Sequence, residues 1–75
     1  MEIILPVFSE RLKGLRKSRK INQEVLAEYL DCSLRQYQRL EYGEVNVSGT
    51  TLMALADFFG VTTDYLLGRE EHHAS

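Results

Sequence analysis

The sequence predicts an all-α fold: one compact domain of five short helices, preceded by a short apolar arm. Three observations carry this expectation. Apolar residues recur at three- and four-residue spacing, as in Leu12/Leu15, Leu26/Ala27/Leu30, Tyr37/Leu40 and Leu52/Leu55/Ala56/Phe59. Each run is preceded by a residue able to cap a helix, and several are followed by a glycine that can stop one. The 75-residue length suits a single domain whose core is only just sufficient.

The elements follow in order. Ile3, Ile4 and Val7 make the start of the chain apolar, and Pro6 argues against a helix running through it. Residues 1–8 are therefore expected to form an arm or a short edge strand, with the domain over 9–68 and a polar tail over 69–75. Ser9 is the expected cap of the first helix, with Glu10 favourable in its first turn. Asn22 is expected to cap the second helix and Ser33 the third, where Gln36 completes a capping box. Only Asp31 and Cys32 separate the second helix from the cap of the third. Helices so closely joined cannot lie antiparallel and must cross steeply, as in a helix-turn-helix unit. Ala27 is small enough to let them approach. Gly43 closes the third helix. Ser48 or Thr50 opens a fourth, which Gly60 ends, and Thr62 or Thr63 starts a fifth over 64–67, closed by Gly68.

Composition narrows the function classes. Hydrophobic residues make up 44% and charged residues 27%, which fits a soluble globule. No apolar stretch approaches the roughly 20 residues needed to cross a bilayer. The start MEIILPVFSE has no basic residue before its apolar run, so no secretory leader is expected, and the cytoplasm is the expected location. One cysteine excludes an intramolecular disulfide and a cysteine-based metal cluster. His72 and His73 are adjacent in the tail and would point apart on a helix. Cys32 reads as a small core hydrophobe rather than a nucleophile. The glycines are isolated and form no phosphate-cradling loop. No catalytic set, metal or cofactor is expected, and the protein is not expected to be an enzyme.

The net charge of −2 hides a sorted distribution. Between Arg11 and Arg39, eight basic residues face three acids, a local charge of +5. The remainder carries Arg69 against eight acids, a charge of −7. Such sorting makes a positive face on an acidic molecule, or a solvated helix face beside an acidic tail. On an exposed third helix, Leu34, Arg35, Gln36, Gln38, Arg39 and Tyr42 would face outward. Arginine and glutamine are suited to bidentate contacts with base edges, while Leu34 suits a thymine methyl or the core. Gln23 and Ser33 stand at helix starts that suit phosphate, and Arg11, Lys17 and Lys20 would add phosphate contacts. Tyr37 and Leu40 are expected in the core.

From Arg11 to Gly68 the chain resembles the Cro/repressor-type (XRE-like) helix-turn-helix domain, a lambda-repressor-like five-helix family of mostly bacterial and phage regulators. The resemblance rests on RLKGLR, NQEVLAEYL, CSLRQYQRLEYG and TLMALADFFGVTTDYLLG in that order. It implies that the third helix enters the major groove and that Ser33, Leu34, Arg35, Gln38 and Arg39 read or approach bases. It implies that Gln23 touches a phosphate and braces the first reading residue. It also implies an ion pair between Arg16 and Glu41, with Leu26, Leu30, Tyr37 and Leu40 in the core. The chain departs from the family at four places. Asp31 replaces the common glycine of the turn, and Lys20 a glycine after the first helix. Val25 replaces a glutamate, and Glu44-Val45 stand where basic residues are usual.

The resemblance further implies a sequence-specific double-stranded DNA-binding transcription regulator, expected here to be a repressor and a homodimer. The arm (Ile3, Ile4, Leu5, Val7, Phe8) and the last helices (Phe58, Phe59, Val61, Tyr65, Leu66) are the two candidate dimer surfaces. The alternative is that both cover the core of a monomer. The acidic Glu44 leaves a second account open, in which the same fold binds another regulator protein instead of DNA.

Overall fold

A computed structural model describes residues 5–69. It contains five helices in order: α1 (Leu5–Ser18), α2 (Gln23–Tyr29), α3 (Leu34–Glu41), α4 (Gly49–Phe59) and α5 (Thr63–Leu66). The described residues are all helix, turn and loop, as the sequence predicts.

The first helix corrects two expectations. It starts at Leu5, ahead of Ser9, so Leu5–Phe8 are helical rather than part of an arm or strand. Pro6 is compatible because it lies in the first turn, where a backbone N–H has no helical partner to lose. Ser9 is not a cap but a buried residue inside the helix, and its Oγ finds no partner among the described residues. The longer helix is stabilised by Phe8, which is fully buried one turn before Leu12. Ile3 and Ile4 of the expected arm lie outside the described residues, as do His72 and His73.

Helix starts follow the caps. Ser33 Oγ accepts the Gln36 N–H at 3.0 Å while Gln36 Oε1 accepts the Ser33 N–H at 3.0 Å, the expected capping box. Ser48, not Thr50, caps α4, and Thr62, not Thr63, caps α5. Asn22 holds the N-cap position of α2 with an extended backbone, but its side chain makes no cap bond.

All five helices end the same way. A residue just past each last turn donates its N–H back five residues: Ile21 to Arg16, Cys32 to Ala27, Glu44 to Arg39, Val61 to Ala56 and Arg69 to Asp64, at 2.8–3.1 Å. This Schellman closure puts the preceding residue in the left-handed region. Glycine fills that place at Gly43, Gly60 and Gly68, with φ of 78°, 69° and 80°. Lys20 and Asp31 fill it at the other two, with φ of 56° and 58°. These are the two positions where the family resemblance had led to expect glycine, and they bracket α2.

The core is Phe8, Leu12, Leu26, Ala27, Tyr37, Leu40, Leu55, Ala56, Phe59 and Leu66. Helix α3 packs against α2 and α1, and α5 against α4 and α1. Cys32 is half-buried against this core, and its thiol is pushed up by burial and by the charge of Asp31. It is a packing residue, as its sequence context suggests. Two arginines counted toward the positive window tie helices together instead. Arg11 Nη1 donates to the Tyr65 carbonyl at 2.8 Å and lies over the Tyr65 ring. Arg19 Nη2 donates to the Phe59 carbonyl at 2.7 Å, with its guanidinium over the Phe59 ring. Both place a cation at carbonyls near a helix C-terminus, where the helix dipole favours positive charge.

Candidate nucleic-acid interface

Helix α3 is sharply two-sided. Tyr37, Leu40 and Glu41 are buried, whereas Leu34, Arg35, Gln36, Arg39 and Tyr42 are exposed and Gln38 is half-buried. The two-sidedness follows from sequence: the helix period puts Tyr37, Leu40 and Glu41 on one face, and Arg35 and Arg39, four apart, on the other. Leu34, 37% exposed, lies on the outward side and not in the core.

A buried carboxylate anchors the inner face. Glu41 is fully buried, and its two oxygens accept four hydrogen bonds. Arg16 donates through Nε to Oε2 at 2.6 Å and through Nη2 to Oε1 at 3.2 Å. Gln23 Nε2 donates to Oε1 at 2.6 Å, and the Tyr37 hydroxyl donates to Oε2 at 2.9 Å. Arg16 Nη1 also donates to the Ile21 carbonyl at 2.9 Å, past the end of α1. One carboxylate thus joins α1, α2 and α3. Burial alone would push its pKa up, but the bonds from Arg16, Gln23 and Tyr37 and the charge of Arg16 outweigh it, and the carboxyl is held below its usual range. The same bond raises the Arg16 pKa, and burial beside the Glu41 charge drives the Tyr37 hydroxyl far upward. An ionised carboxylate has about four lone-pair sites, and all are used here. The bidentate pair is therefore well compensated for its desolvation.

The network continues outward from Glu41. Gln23 Nε2 also approaches the Tyr42 hydroxyl at 3.4 Å, and Gln38 Nε2 donates to Gln23 Oε1 at 3.1 Å. Beyond Gln38 lies a shallow depression of about 190 Å³ lined by Arg35, Gln38, Arg39, Tyr42 and Glu44. Arg39 and Glu44 form a loose ion pair across it at 3.7 Å, both about half exposed.

The expected contact residues divide accordingly. Arg35, Gln38 and Arg39 come together on the outer face of α3, with Leu34 at its start. Lys17 and Lys20 are exposed at the end of α1. Ser33 is exposed, its hydroxyl oxygen accepting from Gln36. Gln36 itself turns back to the start of its own helix, so its amide oxygen serves the cap. The Gln23 side chain turns inward to Glu41 and Gln38 rather than standing out toward a phosphate. Arg11 lies against α5, apart from this group. Arg16 and Glu41 pair as the resemblance implies. Tyr42, joined to Gln23, is a member of the site that the sequence placed only on the outer surface. Its signal was position: Tyr42 lies four residues after Gln38.

The profile of the helix-turn-helix family matches residues 12–66, which includes α2, α3 and the whole Glu41 network. The chain belongs to the helix-turn-helix family. This helix-turn-helix chain is 36% identical over 61 residues to the SPbeta prophage-derived uncharacterized HTH-type transcriptional regulator YonR of Bacillus subtilis, covering 81% of this chain and 56% of that protein. It is 33% identical over 66 residues to the uncharacterized HTH-type transcriptional regulator YqaE of Bacillus subtilis, covering 88% and 57%. It is 38% identical over 64 residues to the HTH-type transcriptional activator BcrR of Enterococcus faecalis, covering 85% of this chain and 31% of that protein. The chain thus spans 31% to 57% of the length of these relatives. No solved structure gives a significant match. Among the described residues, no helix is long and apolar enough to cross a membrane, and no group of histidine, cysteine and acidic side chains could hold a metal ion.

Proposed function

We propose that this helix-turn-helix protein is a non-enzymatic transcription regulator that binds double-stranded DNA sequence-specifically, with α3 in the major groove. One observation carries this reading: α3 turns Arg35, Gln38 and Arg39 outward together while its other face is locked by the fully buried Glu41. Arginine and glutamine side chains on a rigid helix are the donors and acceptors that base edges require. Lys17 and Lys20 supply salt-sensitive contacts to the flanking phosphates, and Ser33 at the start of α3 an uncharged one. The HTH-type regulators it resembles support the same reading. We assign repression as its mode, since occupying promoter DNA needs no surface beyond the domain itself, and the bacterial cytoplasm as its location.

Binding is proposed to occur as a homodimer, because one α3 reads too few base pairs for a long operator. Part of each candidate dimer surface is taken up by the fold. Phe8, Phe59 and Leu66 are consumed by the domain's own core. Exposed apolar residues on or beside the last helices include Met53 of α4, Val7 of α1 beside Gly68, and Tyr29 of α2, whose ring packs on Phe58 at 4.8 Å between centroids.

The Arg39–Glu44 pair favours the second reading, a protein-binding module, because it offsets one cation of the α3 face. Selection from random duplex DNA, followed by mobility shifts at two salt concentrations, separates the two. DNA binding predicts one enriched motif, strong salt dependence and loss on Arg35→Ala or Arg39→Ala. No enrichment, with those variants behaving like the original, would refute it. Sedimentation across a concentration series tests the dimer, and a species that stays monomeric to high micromolar excludes it.

A further inference from the structure

We infer that Gln38 is locked to read adenine, with Gln23 as its positioning residue. This deepens the DNA-binding reading and rests on it. The argument starts at Glu41, whose carboxylate can only accept. Arg16 engages both of its oxygens, at 2.6 and 3.2 Å, so the Gln23 atom 2.6 Å from Oε1 must be the amide nitrogen. That fixes which way the Gln23 amide faces, an orientation otherwise ambiguous between oxygen and nitrogen. Its Oε1 therefore points to Gln38, and only a donor can face it. Gln38 must answer with Nε2, as the 3.1 Å bond shows.

That bond leaves Gln38 with one amide hydrogen and its Oε1 to offer a base. Both belong to a side chain on the rim of the depression shared with Arg35 and Arg39. A side-by-side donor and acceptor complements adenine, which offers N7 to accept and N6–H to donate in the major groove. Guanine offers two acceptors, N7 and O6, and would need both Gln38 amide hydrogens. One of them is held by Gln23, so the lock excludes the bidentate guanine contact.

The family resemblance has the position of Gln23 bracing the first reading residue. Here that residue is Leu34, which has no hydrogen-bonding group, and Gln23 braces Gln38 one turn further along. A buried ion pair is thereby transmitted, through two amides, into a choice between purines.

The test uses the full chain and the duplex it enriches from a random pool. One position of that duplex should require A·T, and exchanging it for G·C should weaken binding by roughly 5- to 150-fold, the range of one bidentate contact. Gln38→Ala should erase the penalty at that position and leave the penalties at other positions in place. Gln23→Met, which keeps the bulk and removes both polar ends, should shrink the adenine-over-guanine ratio at that same position while the salt slope stays the same. A merely structural Gln23 would lower affinity equally for every duplex, and that result overturns the inference. So does a Gln38-dependent preference for guanine or cytosine, or a Gln38→Ala profile that matches the original at every position. Failure to enrich any duplex would overturn the DNA-binding reading itself, a distinguishable outcome.

Discussion

Replacing Lys20 by glycine should make this protein more stable and, at the same time, a weaker electrostatic DNA binder. Lys20 closes α1 in the left-handed region at φ 56°, and its N–H bonds to the Lys17 carbonyl at 3.0 Å. A side chain in that conformation costs about 1–2 kcal/mol through its Cβ, whereas glycine loses about 0.5–1 kcal/mol more backbone entropy on folding. The difference leaves a gain of about 0.5–1 kcal/mol for Lys20→Gly. In a domain of this size that raises Tm by roughly 2–8 °C, at 4–8 °C per kcal/mol. Asp31→Gly, at φ 58°, should gain about half as much, because aspartate tolerates the left-handed region better than lysine. The two sites lie at opposite ends of α2, and their effects should add within about 0.5 kcal/mol. Thermal melts followed by circular dichroism measure the gain. Mobility shifts measure the second effect: losing one phosphate contact should lower the slope of log K against log salt by about 0.9. Lys20→Ala separates the two, since it keeps the backbone strain and removes only the charge. If Lys20→Gly melts no higher than the original while Lys20→Ala matches it, the turn is not strained and the reasoning fails.

Other consequences are testable on the same footing. Gly68→Ala should destabilise by about 1 kcal/mol more than Gly60→Ala: both have positive φ, but only at Gly68 would the new Cβ fall 2.5 Å from Val7 Cγ1. Equal melting losses would show that Val7 moves aside without cost. Ser9→Ala should raise stability by about 1 kcal/mol or slightly less, because it removes a buried hydroxyl with no described partner; a denaturant titration reads it. Arg16→Met should cost about 3–5 kcal/mol, since it strands the buried Glu41 charge. The Glu41 carboxyl has a lowered folded pKa, so its contribution is complete above the ordinary value of 4.5 and is lost as pH falls below it through the folded value. Unfolding free energies measured from pH 7 to pH 3 should show that loss in the original and a smaller one in Glu41→Gln. Glu44→Gln should release Arg39 from its 3.7 Å pair and steepen the salt slope of DNA binding, and an unchanged slope would place Arg39 outside the contact.

Most of the architecture was legible because it is local. The cap at Ser33, the stop at Gly43 and the apolar spacing around Leu26 and Tyr37 each act within one or two helical turns. The helix start at Leu5 was misread because Pro6 breaks helices only beyond the first turn, and nothing nearby shows that Phe8 is needed in the core. Lys20 and Asp31 were legible as departures from glycine, and their φ values give that departure a physical content. The tertiary roles of Arg11, expected at a phosphate, and of Arg19, counted only as charge, were not legible for a different reason. Each is bound to a backbone carbonyl 54 or 40 residues away, and no spacing rule reaches that far.

The amino-acid sequence by itself determined the helices, the turn between α2 and α3, and the outward row of Arg35, Gln38 and Arg39, because helical period and capping chemistry are set by near neighbours. Only the tertiary structure decided what those side chains can offer. The direction of every hydrogen bond from Arg16 through Glu41 and Gln23 to Gln38 depends on three helices meeting at one buried carboxylate. An amide has a defined donor end only once a partner of fixed polarity faces it, and here that partner is buried Glu41.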